Sequence, residues 1–70
     1  MATLKVTVSI PDPDTFEAVV ARAKAEGFKL EAAFPPLGIA TGSIAVQNVS
    51  ALRSLNGVGS VEEERSYKPA

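Results

Sequence analysis

An α+β fold built on one antiparallel sheet is what this 70-residue sequence predicts, and three observations carry it. Apolar and polar residues alternate in two stretches, Leu4–Ile10 and Phe28–Phe34, the period of two that marks half-buried strands. Two further stretches carry apolar residues at helical spacing, each with a polar starter and a closing glycine. Proline and glycine stand where one pattern gives way to the next.

In the first stretch Leu4, Val6, Val8 and Ile10 alternate with Thr3, Lys5, Thr7 and Ser9, giving a strand with one apolar and one polar face. Pro11-Asp12-Pro13-Asp14 stops it. Asp14 and Glu17 read as a capping pair, and Phe16, Val19, Val20 and Ala23 form one stripe of a helix near residues 14–26. Arg22 and Lys24 suit its negative end, and Gly27 is the expected left-handed residue beyond it. Phe28, Leu30, Ala32 and Phe34 then alternate with Lys29, Glu31 and Ala33 as a second strand.

Pro35-Pro36-Leu37-Gly38 is a turn, followed by a third strand from Ile39 to Val46. Within it Gly42 marks a bulge or a close backbone approach. Asn48 is the expected cap of a short second helix near residues 48–55, carrying Val49, Leu52 and Leu55, with Asn56-Gly57 closing it. A last strand begins at Val58. It runs through Val61 into Glu62-Glu63-Glu64 and ends in Arg65-Ser66-Tyr67-Lys68-Pro69-Ala70, which has no apolar period. Pro69 biases Lys68 toward extended geometry, so the tail, residues 66–70, has the shape of a peptide offered to a groove. The plain alternative is a frayed terminus.

The order β-α-β-β-α-β is the split βαβ, or ferredoxin-like, arrangement. Right-handed crossovers place the first and third strands centrally, the second and fourth at the edges, and both helices on one face. Lys5, Thr7, Ser9, Lys29 and Glu31 are then expected on the helix-free face. One domain over residues 1–70 is the expectation, with no internal repeat or linker. A chain this short buries only about 60% of its unfolded surface, so its core is thin.

Composition removes several classes of chemistry. The chain has no cysteine, hence no disulfide or thiolate metal site, and no histidine, the commonest general base and zinc ligand. No metal or cofactor is expected. Seven basic and eight acidic residues give a net charge of −1, without the basic patch that nucleic acid requires. The polar face of the first strand also lacks the aromatics with which open sheets stack on bases. Lys5, Lys24, Lys29 and Lys68 fall on polar faces or in the tail, not in the desolvated surroundings of a Schiff-base lysine. Gly57-Val58-Gly59 precedes a strand instead of a helix, which makes it a poor phosphate loop. MATLKVTVSI is too short and too regularly alternating for a signal peptide, and no stretch reaches membrane-spanning length. A cytoplasmic protein, monomeric or weakly self-associating, is the expectation.

The acidic run is the most informative motif. Glu62 and Glu64 share one face of a strand while Val61 and Glu63 share the other. If Val61 faces the helices, the two carboxylates project from the open face, where they can receive the N-terminal amides of a partner's helices. Taken alone, such charges on an edge strand guard against aggregation.

In three pieces the second half resembles the subtilisin propeptide and peptidase inhibitor I9 family. Ala51-Leu52-Arg53-Ser54-Leu55 matches its short helix, Gly57-Val58-Gly59-Ser60-Val61 its approach to the last strand, and Glu62-Glu63-Glu64 its acidic run. The first half agrees in element order and in the Glu26-Gly27-Phe28 helix exit. The resemblance implies a subtilisin-like serine protease as partner, with the open sheet face packed on two parallel protease helices. By the same resemblance Glu62 and Glu64 cap those helices, and Tyr67, Lys68, Pro69 and Ala70 occupy the fourth to first subsites of the cleft. No catalytic domain follows, so a stand-alone inhibitor or folding helper is implied instead of a propeptide in cis. Two other classes stay open beside it. One is a small ferredoxin-like regulatory or oligomeric module. The other is the ketohydroxyglutarate-type aldolase label that some short bacterial proteins of this appearance carry. That chemistry belongs to a barrel of roughly 200 residues or more, which this chain cannot form.

Overall fold

A computed structural model describes residues 2–64 of the chain. The first strand, β1 (Thr3–Ser9), buries Val6 and Val8 and turns Lys5, Thr7 and Ser9 to the other side. After it the chain does not enter an α-helix directly. Asp12 accepts a hydrogen bond from the Asp14 amide (2.9 Å) and starts a 3-10 turn over Pro13–Thr15; α1 (Phe16–Ala25) follows. The capping pair expected at Asp14 and Glu17 is therefore replaced by Asp12, because a proline at the first position of the turn preorganises it one step earlier. At the other end the expectation holds. The Gly27 amide donates to the Lys24 carbonyl and the Phe28 amide to the Ala23 carbonyl, both at 3.0 Å, with Gly27 at φ 95°. That is a Schellman closure, and it needs the positive φ that glycine supplies.

Two further strands, β2 (Lys29–Phe34) and β3 (Ile39–Ala45), flank a 3-10 turn at Pro35–Leu37. Another 3-10 turn, Val46–Asn48, leads into α2 (Val49–Arg53), shorter than the stretch near 48–55 read from the sequence. Asn48 occupies the cap position but its side chain makes no capping bond. The last strand is β4 (Ser60–Glu63), preceded by a turn in which the Val58 amide donates to the Leu55 carbonyl.

The sheet is antiparallel throughout, in the order β2-β3-β1-β4, so β1 and β3 are central as the crossover rule requires. Both helices lie on one side of it. Val6, Val8, Ile44 and Val61 from the sheet join Phe16, Val19, Val20, Val49 and Leu52 from the helices in one buried cluster. The α+β, ferredoxin-like reading stands.

One strand departs from its alternation. In β2, Leu30 pairs with Gly42 but Ala32 pairs with Thr41, leaving Glu31 as an extra residue in a bulge. Beyond it the faces exchange. Ala33 stands opposite buried Ala40, whereas Ala32 and Phe34 stand opposite Thr41 and Ile39 on the helix-free face. Phe34, read as apolar-face like Leu30, is accordingly 45% exposed. On β3, a Cβ at Gly42 would overlap the Lys29 carbonyl oxygen and reach Phe28 Cζ at 2.9 Å. The glycine thus serves a close approach, and the bulge lies on its neighbour.

Candidate functional site

The helix-free face is built by register. Residues directly opposite in an antiparallel ladder share a face, and neighbouring strands stand about 4.8 Å apart. The pairing therefore writes rows across the sheet. Phe34, Ile39, Ser9 and Ser60 form one row; Ala32, Thr41, Thr7 and Glu62 form the next. Lys29, Ser43 and Lys5 form a third, which Glu64 extends by donating its amide to the Lys5 carbonyl at 2.8 Å. Between the edges the face carries only small or hydroxyl side chains on β1 and β3, apart from Lys5 and Ile39. It is consequently flat, open, and different at its two sides.

At the β4 side it is acidic. Val61 is 7% exposed and packs toward the helices, which fixes Glu62 on the opposite face, where it is exposed. Glu63 follows Val61: its Oε2 accepts a hydrogen bond from Arg53 Nη2 of α2 at 3.0 Å. This contact ties the short edge strand to the helix layer and leaves Glu62 and Glu64 as the carboxylates of the open face at the β4 edge. Two residues of strand set their Cα atoms about 7 Å apart. The face expected for Glu62, opposite to that of Val61, is the one it occupies. Tyr67, Lys68, Pro69 and Ala70 lie outside the described residues.

At the β2 side the face is apolar and basic. Phe34 and Ile39 stand opposite each other at one corner, and Lys29 lies toward the other end of β2, in one row with Lys5 two strands away on β1. Lys5 Nζ is 3.9 Å from Glu31 Oε1 with both side chains more than half exposed, a pair worth no more than about 1 kcal/mol. Phe34 belongs to this surface and the alternation pattern hid it. The available signal was Gly42, which sits opposite Leu30, one step before the bulge. Leu37, 70% exposed in the Pro35–Leu37 turn, and Val46, 46% exposed, are the other large apolar side chains left outside among the described residues.

No group of three or more His, Cys, Asp or Glu side chains among the described residues could hold a metal ion. No helix among them is long and apolar enough to cross a membrane. Comparison with protein-family models, with curated proteins and with solved structures finds no match to this chain.

Proposed function

We propose that this protein is a cytoplasmic, propeptide-like inhibitor or folding helper of subtilisin-type serine proteases. The observation that carries the reading is the division of β4. Val61 and Glu63 are turned to the helices, so Glu62 and Glu64 stand on the face with no covering layer. Surface helices that pack side by side lie about 8–10 Å apart. Glutamates whose Cα atoms lie about 7 Å apart on a strand are suited to reach the exposed N-terminal amides of two such helices, where negative charge is favoured. The centre of the sheet, where Thr7, Thr41 and Ser43 present only small hydroxyl side chains, suits the same approach. In this reading the tail continues from Glu64 into the substrate cleft, with Tyr67 as its aromatic anchor and Ala70 at the scissile end. The chain is then an inhibitor and not an enzyme.

The test is a competitive inhibition assay against a subtilisin with the full chain. Inhibition that weakens when Glu62 and Glu64 are both replaced by Gln supports the reading, and absence of inhibition removes it. A second reading draws on the Phe34–Ile39 corner. Apolar residues on an open sheet face also suit a small module that pairs with a copy of itself. The solution mass of the free protein separates the two.

A further inference from the structure

The open face divides its charges between its two edges. Lys29 stands on β2, Glu62 and Glu64 at the β4 edge, and all three are exposed. The ion pairs among the described residues are Lys5–Glu31 and Arg53–Glu63, so these three charges find no partner within that part of the chain. We infer that a second copy of this chain covers the face, with the two-fold axis of the pair running parallel to the strands. The inference rests on the self-pairing reading given above and not on the protease one, and it adds the arrangement that the pairing takes.

Two sheets packed face to face with their strands aligned stand about 10 Å apart. A two-fold axis between them runs either along the strands or across them. An axis along the strands keeps every row at its own level and reverses the strand order, so that β2 lies over β4 of the second copy and β3 over β1. In the row Lys29, Ser43, Lys5, Glu64, this sets Lys29 opposite Glu64 of the second copy and Glu64 opposite its Lys29. An extended lysine and an extended glutamate close the gap between them, and the symmetry makes the contact twice. In the row Phe34, Ile39, Ser9, Ser60, the same operation sets Phe34 over Ser60 and Ile39 over Ser9, a large side chain over a small one each time. The middle row brings Thr41 over Thr7 and Ala32 over Glu62, so no like charges are opposed. An axis across the strands does the reverse. It stacks each strand on its own copy, which puts Glu62 against Glu62 and Phe34 against Lys29. The charge pattern therefore selects the first axis.

The size of the face limits the affinity. Four strands about 4.8 Å apart, the central two of 7 residues at about 3.3 Å each, outline about 400 Å2 per copy. Both copies together then cover about 800 Å2, less than the roughly 1,200–2,000 Å2 of a stable interface. Exposed ion pairs add little to affinity, but they fix which arrangement forms. The pair is accordingly weak, with a dissociation constant of about 100 μM or above. At the low-micromolar concentrations of an inhibition assay the chain is then monomeric and its open face is free.

Sedimentation equilibrium of the full chain in low salt, at concentrations from about 10 μM to 1 mM, tests this directly. The mass is expected to rise from that of one chain toward that of two. Lys29→Glu and Glu64→Lys change exposed side chains, so both variants are expected to keep the parent's thermal midpoint. Each sets like charges opposite one another twice and is expected to weaken the pairing at least about tenfold. The double variant carrying both exchanges restores the attraction, and its constant is expected to return to within about threefold of the parent's. A parent that keeps the mass of one chain throughout overturns the inference together with the self-pairing reading. A parent dimer that both single variants preserve, or that the double variant does not restore, overturns the arrangement and leaves self-pairing to another surface.

Discussion

A methyl group at Gly42 has no room, since it would meet the Lys29 carbonyl oxygen and the Phe28 ring. Neither neighbour is the free end of a flexible chain: one is backbone, the other a ring buried in the core. Gly42→Ala must therefore push β2 away from β3, and overpacking of this kind costs about 1–3 kcal/mol. Urea denaturation measures it, and a midpoint equal to the parent's would contradict the close approach. Glu62 and Glu64 are the opposite case, exposed carboxylates that carry no part of the core. Replacing both by Gln is expected to leave the thermal midpoint nearly unchanged. Capping a helix is worth about 0.3–1 kcal/mol per exposed charge, so the same change is expected to weaken inhibition of a subtilisin by roughly tenfold. Equal inhibition constants for the double variant and the parent return these residues to surface charge.

Phenylalanines at three places show how far element patterning can be read. Phe16 and Phe28 are each 3% exposed, and each is expected to cost about 3–5 kcal/mol when truncated to Ala. Phe34, turned out by the bulge at Glu31, is expected to cost less than about 1 kcal/mol. Denaturation of the three Ala variants checks the order, and a cost for Phe34 as large as for Phe28 would mean that the bulge is absent in solution. In β1 the sequence was sufficient, because Leu4 to Ile10 keep one period and every second side chain does meet the helices. In β2 the same period misleads. A bulge adds one residue without any change in the composition around it, and only its effect on face reveals it. The start of α1 was likewise misplaced: Asp12 and Asp14 both have the chemistry of a cap, and the choice between them rests on the 3-10 turn that Pro13 begins. The last strand was legible for a different reason. Val61 is the one apolar residue in Ser60–Glu63, so burying it decides where all three glutamates point.

At the scale of the whole molecule, the strand order β2-β3-β1-β4 sets an apolar corner at one edge of the open face and two carboxylates at the other. The core that supports this face runs from Val6 to Val61, and the carboxylates of Glu62 and Glu64 take no part in it. If Tyr67–Ala70 fills a protease cleft, the chain ending at Ser66 is expected to lose competitive inhibition while keeping the thermal midpoint of the parent. Tyr67→Ala, the loss of an aromatic anchor, is expected to raise the inhibition constant by about thirtyfold, corresponding to roughly 2 kcal/mol. The most direct measurement is therefore the inhibition constant of the parent, of Tyr67→Ala and of the chain ending at Ser66 against one subtilisin. The account predicts that the parent inhibits competitively, that Tyr67→Ala is weaker and that the shortened chain is inactive. Equal inhibition by all three, or none by the parent, would contradict it.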